Sequence, residues 1–412
     1  MKYDTIIIGG GLSGLVAGVA LAEKKQKVAI VSLGQSALHF SSGSFGLLGN
    51  VGGKQIDAPL EAIAELAAAH PYSRLGADTV KDLSGKVIPF FAEAGITLKG
   101  DCSKNSVRIT PMGKCKSCWL TLDEFATVGE LKKYKKAVII SISSFLDFYP
   151  DFLATGIKDL GLEVSIAQVS TPEIDRLRRS TAEMRATSIG RQLRGNAVAE
   201  LADAIKKVSA GADVVLMPAV AGFDSEEPVK ELRRLVGTPL FCIATTPMSM
   251  AGTRMQMQLR RRFEALGGTY MLGDNVVAGK IGEDGTVEYV DTANLTEDHL
   301  YAQSFILASG GFFGHGIVAE PHRIYEPVFG FEVATDGDRD KWFDRNFFAT
   351  QPYMSFGLDT DETFHPLRGG KAVKNLYAVG AVLGGYDALK EESGAGVAIL
   401  TALHVADLIA KK

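Results

Sequence analysis

The chain has 412 residues, 46% of them hydrophobic and 22% charged, the balance of an ordinary globular protein. That length exceeds one simple core and predicts two packed domains, or one core carrying a large insertion. A formal net charge of −4 argues against nucleic acid as the main partner, and no uninterrupted apolar run reaches the roughly 18 residues that a membrane span needs.

The opening stretch, YDTIIIGGGLSGLVAGVALAEKKQKVAIVS, predicts a strand, a tight turn, a helix and a second strand. Thr5 to Ile8 are β-branched and continuous, as in a strand buried on both faces. Leu12 to Glu23 are rich in Ala, Val and Leu and predict the helix; Val28 to Val31 form the next strand. A strand this close to Met1 leaves no room for a signal peptide, so the expected location is the cytoplasm. Over 57–268 the character changes. KKAVIISISSFLDF, GLEVSIAQVS, ADVVLMPAVAG and GTPLFCIATTP each predict a strand, and the Arg-rich stretch from Ile174 to Val208 predicts one or two helices. This region reads as an inserted mixed α/β cap domain. The nucleotide-domain pattern resumes over 269–412, joining 1–56. GGTYMLGDNVVAGKIGEDGTVEYVDTA predicts short antiparallel strands with a turn at Gly285, and AQSFILASGGFFG a strand broken at a glycine pair. NLYAVGAVLGG leads through another glycine turn into a long terminal helix.

Three glycine turns carry the chemistry. In GGGLSG, Gly9 permits the tight turn, Gly11 lets backbone approach a pyrophosphate, and Gly14 lets the helix pack closely on the strand. The helix start at Leu12, Ser13 and Gly14 then offers free N–H groups to phosphate. Near the C-terminus, Gly380 and Ala381 end a strand, and Ser393, Gly394 and Gly396 open a helix. Its dipole suits the N1 and C2 oxygen of a flavin, where charge collects on reduction. The third turn, ending at Gly310, follows a strand in the manner of turns set against a flavin cofactor. The acid expected at the end of the second strand is absent; Ser32 stands there. A serine hydroxyl can serve a ribose, and Ser41, Ser42, Gly43 and Ser44 can offer hydroxyls and N–H groups to pyrophosphate and flavin.

GGGLSG, VAIVS, the Ser/Gly loop and FGLDTDETFHPLRGGKAVKNLYAVGAVLGG together resemble the succinate dehydrogenase and fumarate reductase flavoprotein family. The resemblance implies a Rossmann-like FAD/NAD(P)-binding α/β domain of the glutathione-reductase-like kind, carrying the inserted cap. GQSALHFSSGS, AHPYS and ASGGFF narrow it to the B-subunit family of anaerobic glycerol-3-phosphate dehydrogenases, over nearly the whole chain. That resemblance implies a flavin-carrying member of a membrane-associated complex. The complex oxidises a small phosphorylated polyol and passes electrons toward quinone. Its other members would be a catalytic flavoprotein, the A subunit, and an iron–sulfur protein, the C subunit. The glycine loop argues for FAD; the family association leaves FMN as the alternative.

Two positions depart from the wider pattern. Flavoproteins usually carry Asp or Glu after the last-strand glycine, where this chain has Ala381. His39 lies in a loop where relatives can tether flavin covalently, but a hydrogen-bonding role is expected here. A phosphate substrate would want Arg or Lys, and the candidates are Arg254, Arg185 and Arg191; His315, after the Ser309-Gly310-Gly311 turn, could face the flavin, and with Arg254 it is the candidate catalytic residue. Cys115 and Cys118 form one C-x-x-C without a second pair nearby, so no metal site is expected. Two other readings stay open: a stand-alone fumarate-reductase-like oxidoreductase, and a non-catalytic assembly subunit with weak flavin binding.

Overall fold

The computed structural model describes residues 2–412 apart from Gln35, Thr296, Glu297, Ala334 and Asp336. The chain forms two compact units: Met1–Ala37, Phe45–Pro89 and Leu259–Lys412 make the first, and Leu38–Ser44 and Phe90–Gln258 the second.

In the first unit, β1 (Lys2–Ile8) leads through a glycine turn into α1 (Leu12–Glu23) and on to β2 (Val28–Ser32). A short helix, α2 (Pro71–Leu75), follows. Later come β3 (Thr269–Leu272), β4 (Tyr301–Leu307), β5 (Leu376–Ala378) and the terminal helix α3 (Gly394–Ala410). The five strands form one all-parallel sheet in the order β3-β2-β1-β4-β5. The registers pair Ile8 with both Val31 and Leu307, and Leu307 with Ala378, so the C-terminal ends of these strands lie level. The strand order reverses at β1, and open parallel sheets bind ligands at such a switch point, beyond the carboxyl ends.

Helix α1 is buried at every residue from Ser13 to Ala22, and α3 at most of its length. A helix apolar on all sides is one covered on all sides; α1 and α3 pack against each other, and α1 against the sheet. Leu15, Val16, Val19 and Leu21 are fully buried, and each such side chain contributes about 1.5–3 kcal/mol.

The second unit has its own parallel sheet, in the order Glu163–Val169, Lys136–Ile142, Val214–Pro218, Leu240–Ile243. Helices Pro150–Asp159, Asn196–Val208 and Glu227–Val236 connect these strands and turn apolar stripes such as Val198, Leu201 and Ile205 inward.

Three sequence expectations are refined. Residues 57–89 lie with the first unit, because buried His70 bonds to Glu391 at 3.0 Å and Tyr72 Oη donates to Leu47 O at 2.9 Å. Thr269–Leu272 joins the parallel sheet beside β2, while the antiparallel hairpin is Val276–Ile281 with Val287–Thr292, turning at Gly285. The Arg-rich stretch breaks into three helices, Pro172–Leu177, Ala186–Gln192 and Asn196–Val208.

Candidate flavin site

Gly9 holds φ +113° and its N–H donates to Val31 O at 2.9 Å. A Cβ there would lie 2.3 Å from Ala308 O, and one on Gly14 would lie 1.9 Å from Gly9 O. These two glycines are packing requirements. Gly11 is different: a Cβ on it would meet nothing closer than Ser36 at 3.9 Å. Gly11 is also the N-cap of α1, where no side chain caps the helix and the first turn holds no acid. The first N–H groups of α1 have no intrahelical partner and present a positive dipole end into that space. The spacing alone could not divide the three glycines into two that pack and one that leaves room.

Ser32 is buried at the end of β2, and its hydroxyl makes only a weak 3.5 Å hydrogen bond to Gly34 O. A Cβ on Gly10 would fall 2.4 Å from Ser32 Oγ and 2.2 Å from Tyr270 Oη, so both hydroxyls line the glycine turn. No sequence signal marks Tyr270 for this place. It arrives on β3, opposite Ile30 of β2, after the chain has passed through the second unit. On the other side of β1, Ser309 Oγ is buried without a hydrogen-bond partner, and Gly310 follows at φ +85°.

Gly380 takes φ +72°, and its N–H donates to Thr401 Oγ1 of α3 at 3.1 Å. A Cβ on Gly380 would lie 2.0 Å from Ser13 Oγ, and one on Gly311 would lie 3.0 Å from Ala381 O. The turns at 9–14, 310–311 and 380–381 therefore converge at one end of the sheet. Ala381 is exposed and offers backbone alone. The N-cap of α3, Ser393, is fully buried and turns its hydroxyl to Glu391 rather than to the helix, whose first turn also lacks an acid.

Ser41, Ser42, Gly43 and Ser44 fall in the second unit. There Leu122 N donates to Gly43 O at 3.0 Å, and Ser44 Oγ and Thr121 Oγ1 lie 2.8 Å apart. His39 Nε2 is hydrogen-bonded to the Gln256 side chain, and Ser249 N donates to His39 O at 2.6 Å. Arg254 is 0% exposed; its guanidinium pairs with Glu124 and donates to Gly222 O at 3.1 Å. Such a cation is committed to a buried pair and presents no open face to a phosphate. His315 is exposed and left-handed at φ 58°, just after the turn Phe312–Gly314.

None of the four cysteines is in a disulfide. Cys115 and Cys118 bound one β-strand, Cys115 exposed and Cys118 buried. Three strand residues span about 10 Å, too far for a chelate or a disulfide. Burial, then Glu124, push the Cys242 thiol up to about 12. Among the described residues, no group of three or more His, Cys, Asp or Glu could hold a metal ion.

The FAD binding domain family matches residues 4–397. The B subunit of anaerobic glycerol-3-phosphate dehydrogenase from Yersinia enterocolitica is 41% identical, with 99% of this chain and 98% of that protein covered. The proteins of the same name from Pectobacterium atrosepticum and Actinobacillus succinogenes are 40% and 37% identical, each covering 100% of this chain and 99% of their own. The chain belongs to the family of anaerobic glycerol-3-phosphate dehydrogenase B subunits, within the FAD-binding flavoproteins. As a member, it is a flavin oxidoreductase subunit whose cofactor is FAD, and its relatives are parts of a multi-subunit enzyme. The mouth fits that cofactor. Gly11 leaves a cradle that a Cβ would narrow, α1 opens without an acid, and Ser309 keeps an unanswered buried hydroxyl beside it. No helix among the described residues is long and apolar enough to cross a membrane.

Proposed function

We propose that the chain is the FAD-carrying B subunit of an anaerobic glycerol-3-phosphate dehydrogenase. The complex would oxidise sn-glycerol 3-phosphate to dihydroxyacetone phosphate and pass electrons toward quinone. A catalytic flavoprotein, the A subunit, and an iron–sulfur protein, the C subunit, would be its partners, and they would tie it peripherally to the membrane. The observation that carries this reading is the match to B subunits over the full length of both chains.

When bound, FAD supplies a two-electron acceptor for the hydride of a secondary alcohol. The chain must then bind the adenine dinucleotide and dispose of the hydroxyl proton. Gly9, Gly11, Leu12, Ser13 and Gly14 would hold the pyrophosphate, with Ser32 at the ribose. Gly310, Gly380, Ala381, Ser393, Gly394 and Gly396 would border the flavin. Exposed His315 is the candidate base. Arg254, sealed against Glu124, would shape the second unit rather than touch substrate.

One observation favours a second reading, an assembly subunit with weak flavin: the exposed methyl of Ala381 stands where flavoproteins usually place a carboxylate. The absorbance spectrum of the purified protein, with chromatography of the released flavin, separates the two. Stoichiometric FAD supports the proposal. A protein that stays colourless after incubation with FAD overturns it in favour of the assembly role.

A further inference from the structure

Two stretches bordering the flavin site are zipped together. Gly396 N, in the first turn of α3, donates to Gly46 O at 2.9 Å. Gly49 N and Asn50 N donate to Glu391 O at 2.8 and 3.1 Å. Tyr72 Oη donates to Leu47 O at 2.9 Å. Burial, then Tyr386 and Glu391, hold the Tyr72 hydroxyl well above its ordinary range, so it stays a donor.

The turn before α3 is held from inside by one carboxylate. Glu391 Oε1 accepts from Asp387 N at 3.1 Å, and Oε2 accepts from Ser393 Oγ at 3.2 Å. Oε2 also lies 3.0 Å from Nε2 of His70, a residue only 1% exposed. The other ring nitrogen, Nδ1, accepts from Tyr72 N at 2.9 Å as the N-cap of α2. An imidazole that accepts at Nδ1 carries its proton on Nε2, so the backbone fixes the tautomer that donates to Glu391. Burying a histidine against a carboxylate is a costly way to join two loops when apolar packing would serve. The arrangement suits a task needing close placement of a helix end.

We propose that the His70–Glu391 hydrogen bond is a latch that positions the N-terminus of α3, and thereby sets how tightly the chain holds FAD. The proposal rests on the flavin reading above. Gly396 N–H is taken by Gly46 O, but helix-end N–H groups act within about one turn, so a small displacement of Gly394 and Ala395 changes what they can stabilise. His70 is a positioning residue that acts through Glu391.

Two substitutions separate the latch from the cap. In His70→Asn, the amide oxygen can replace Nδ1 as the cap of Tyr72 N but falls short of Glu391. In His70→Gln, the longer amide can donate to Glu391 but leaves Tyr72 N uncapped. Titration with FAD, the visible spectrum of the bound flavin and Tm are measured for both. His70→Asn is expected to raise the FAD Kd about tenfold and shift the flavin spectrum, with Tm near that of wild type. His70→Gln is expected to lower Tm while keeping the FAD Kd within about twofold. If His70→Asn binds FAD as wild type does, or if both Kd values simply follow Tm, the latch is overturned. If wild type itself takes up no FAD, the flavin reading falls first and the latch falls with it.

Discussion

Both units are built on a parallel sheet with helical connections, and the proposed cofactor mouth belongs to the first. In the first unit, β1, β4 and β5 each run out into glycine turns, and Gly11 stands over space at an uncapped helix start. In the second, Cys242 of strand Leu240–Ile243 donates its N–H to Glu124 O at 2.7 Å, and the Glu124 carboxylate is committed to buried Arg254. The parallel sheet supplies level strand ends. The two differ in what their polar groups do: the first keeps an open glycine turn at Gly11, while in the second the charges of Arg254 and Glu124 are committed to each other.

The largest test breaks the division among the glycines. Gly14→Val puts carbon where Gly9 O already lies, and is expected to abolish folding of the first unit and FAD uptake together, read by circular dichroism and flavin content. Gly11→Val enters open space, so the fold should persist while the FAD Kd rises about a hundredfold through lost backbone approach. Equal damage from both would erase the distinction.

The second unit should break at its buried Arg254–Glu124 pair. Arg254→Ala leaves Glu124 buried alone and is expected to cost about 3–5 kcal/mol in urea unfolding. The double variant Arg254→Met with Glu124→Leu should recover most of it, since neither charge is then stranded. Failure of that recovery would assign Arg254 a role beyond the pair.

A pH effect of on the order of 3 kcal/mol is expected in the first unit. Glu326 accepts from Val328 N at 2.7 Å and Phe329 N at 2.8 Å, but burial pushes its carboxyl up to about 7. An acid held above its ordinary value binds its proton more tightly when folded. Its contribution is fully present below about 4.5 and is lost as pH rises through about 7. Urea midpoints between pH 5 and pH 8 should show the decline, and Glu326→Gln should flatten it.

The smallest effect concerns the thiols. Iodoacetamide should modify exposed Cys115 in the native protein and spare Cys118 and Cys242, with Cys115→Ser leaving stability within about 0.5 kcal/mol. Rapid labelling of Cys242 would contradict both its burial and its raised thiol.

The sequence by itself determined the first βαβ element. A β-branched run, GGGLSG and an Ala/Val-rich helix are local signals, and the helix falls at Leu12–Glu23 as expected. The cofactor followed from the same local pattern, because a helix start with glycine before it suits phosphate wherever it occurs. Tertiary structure alone decided what depends on distant partners. Tyr270 reaches the glycine turn only through strand pairing across a long insertion. His70 finds Glu391 at a separation of 321 residues, and no periodicity encodes such a pairing. Arg254 reads as a free cation in a basic helix until packing seals it against Glu124. Turn chemistry is written within a few residues; burial and ion pairing are set by whatever the folded chain brings alongside.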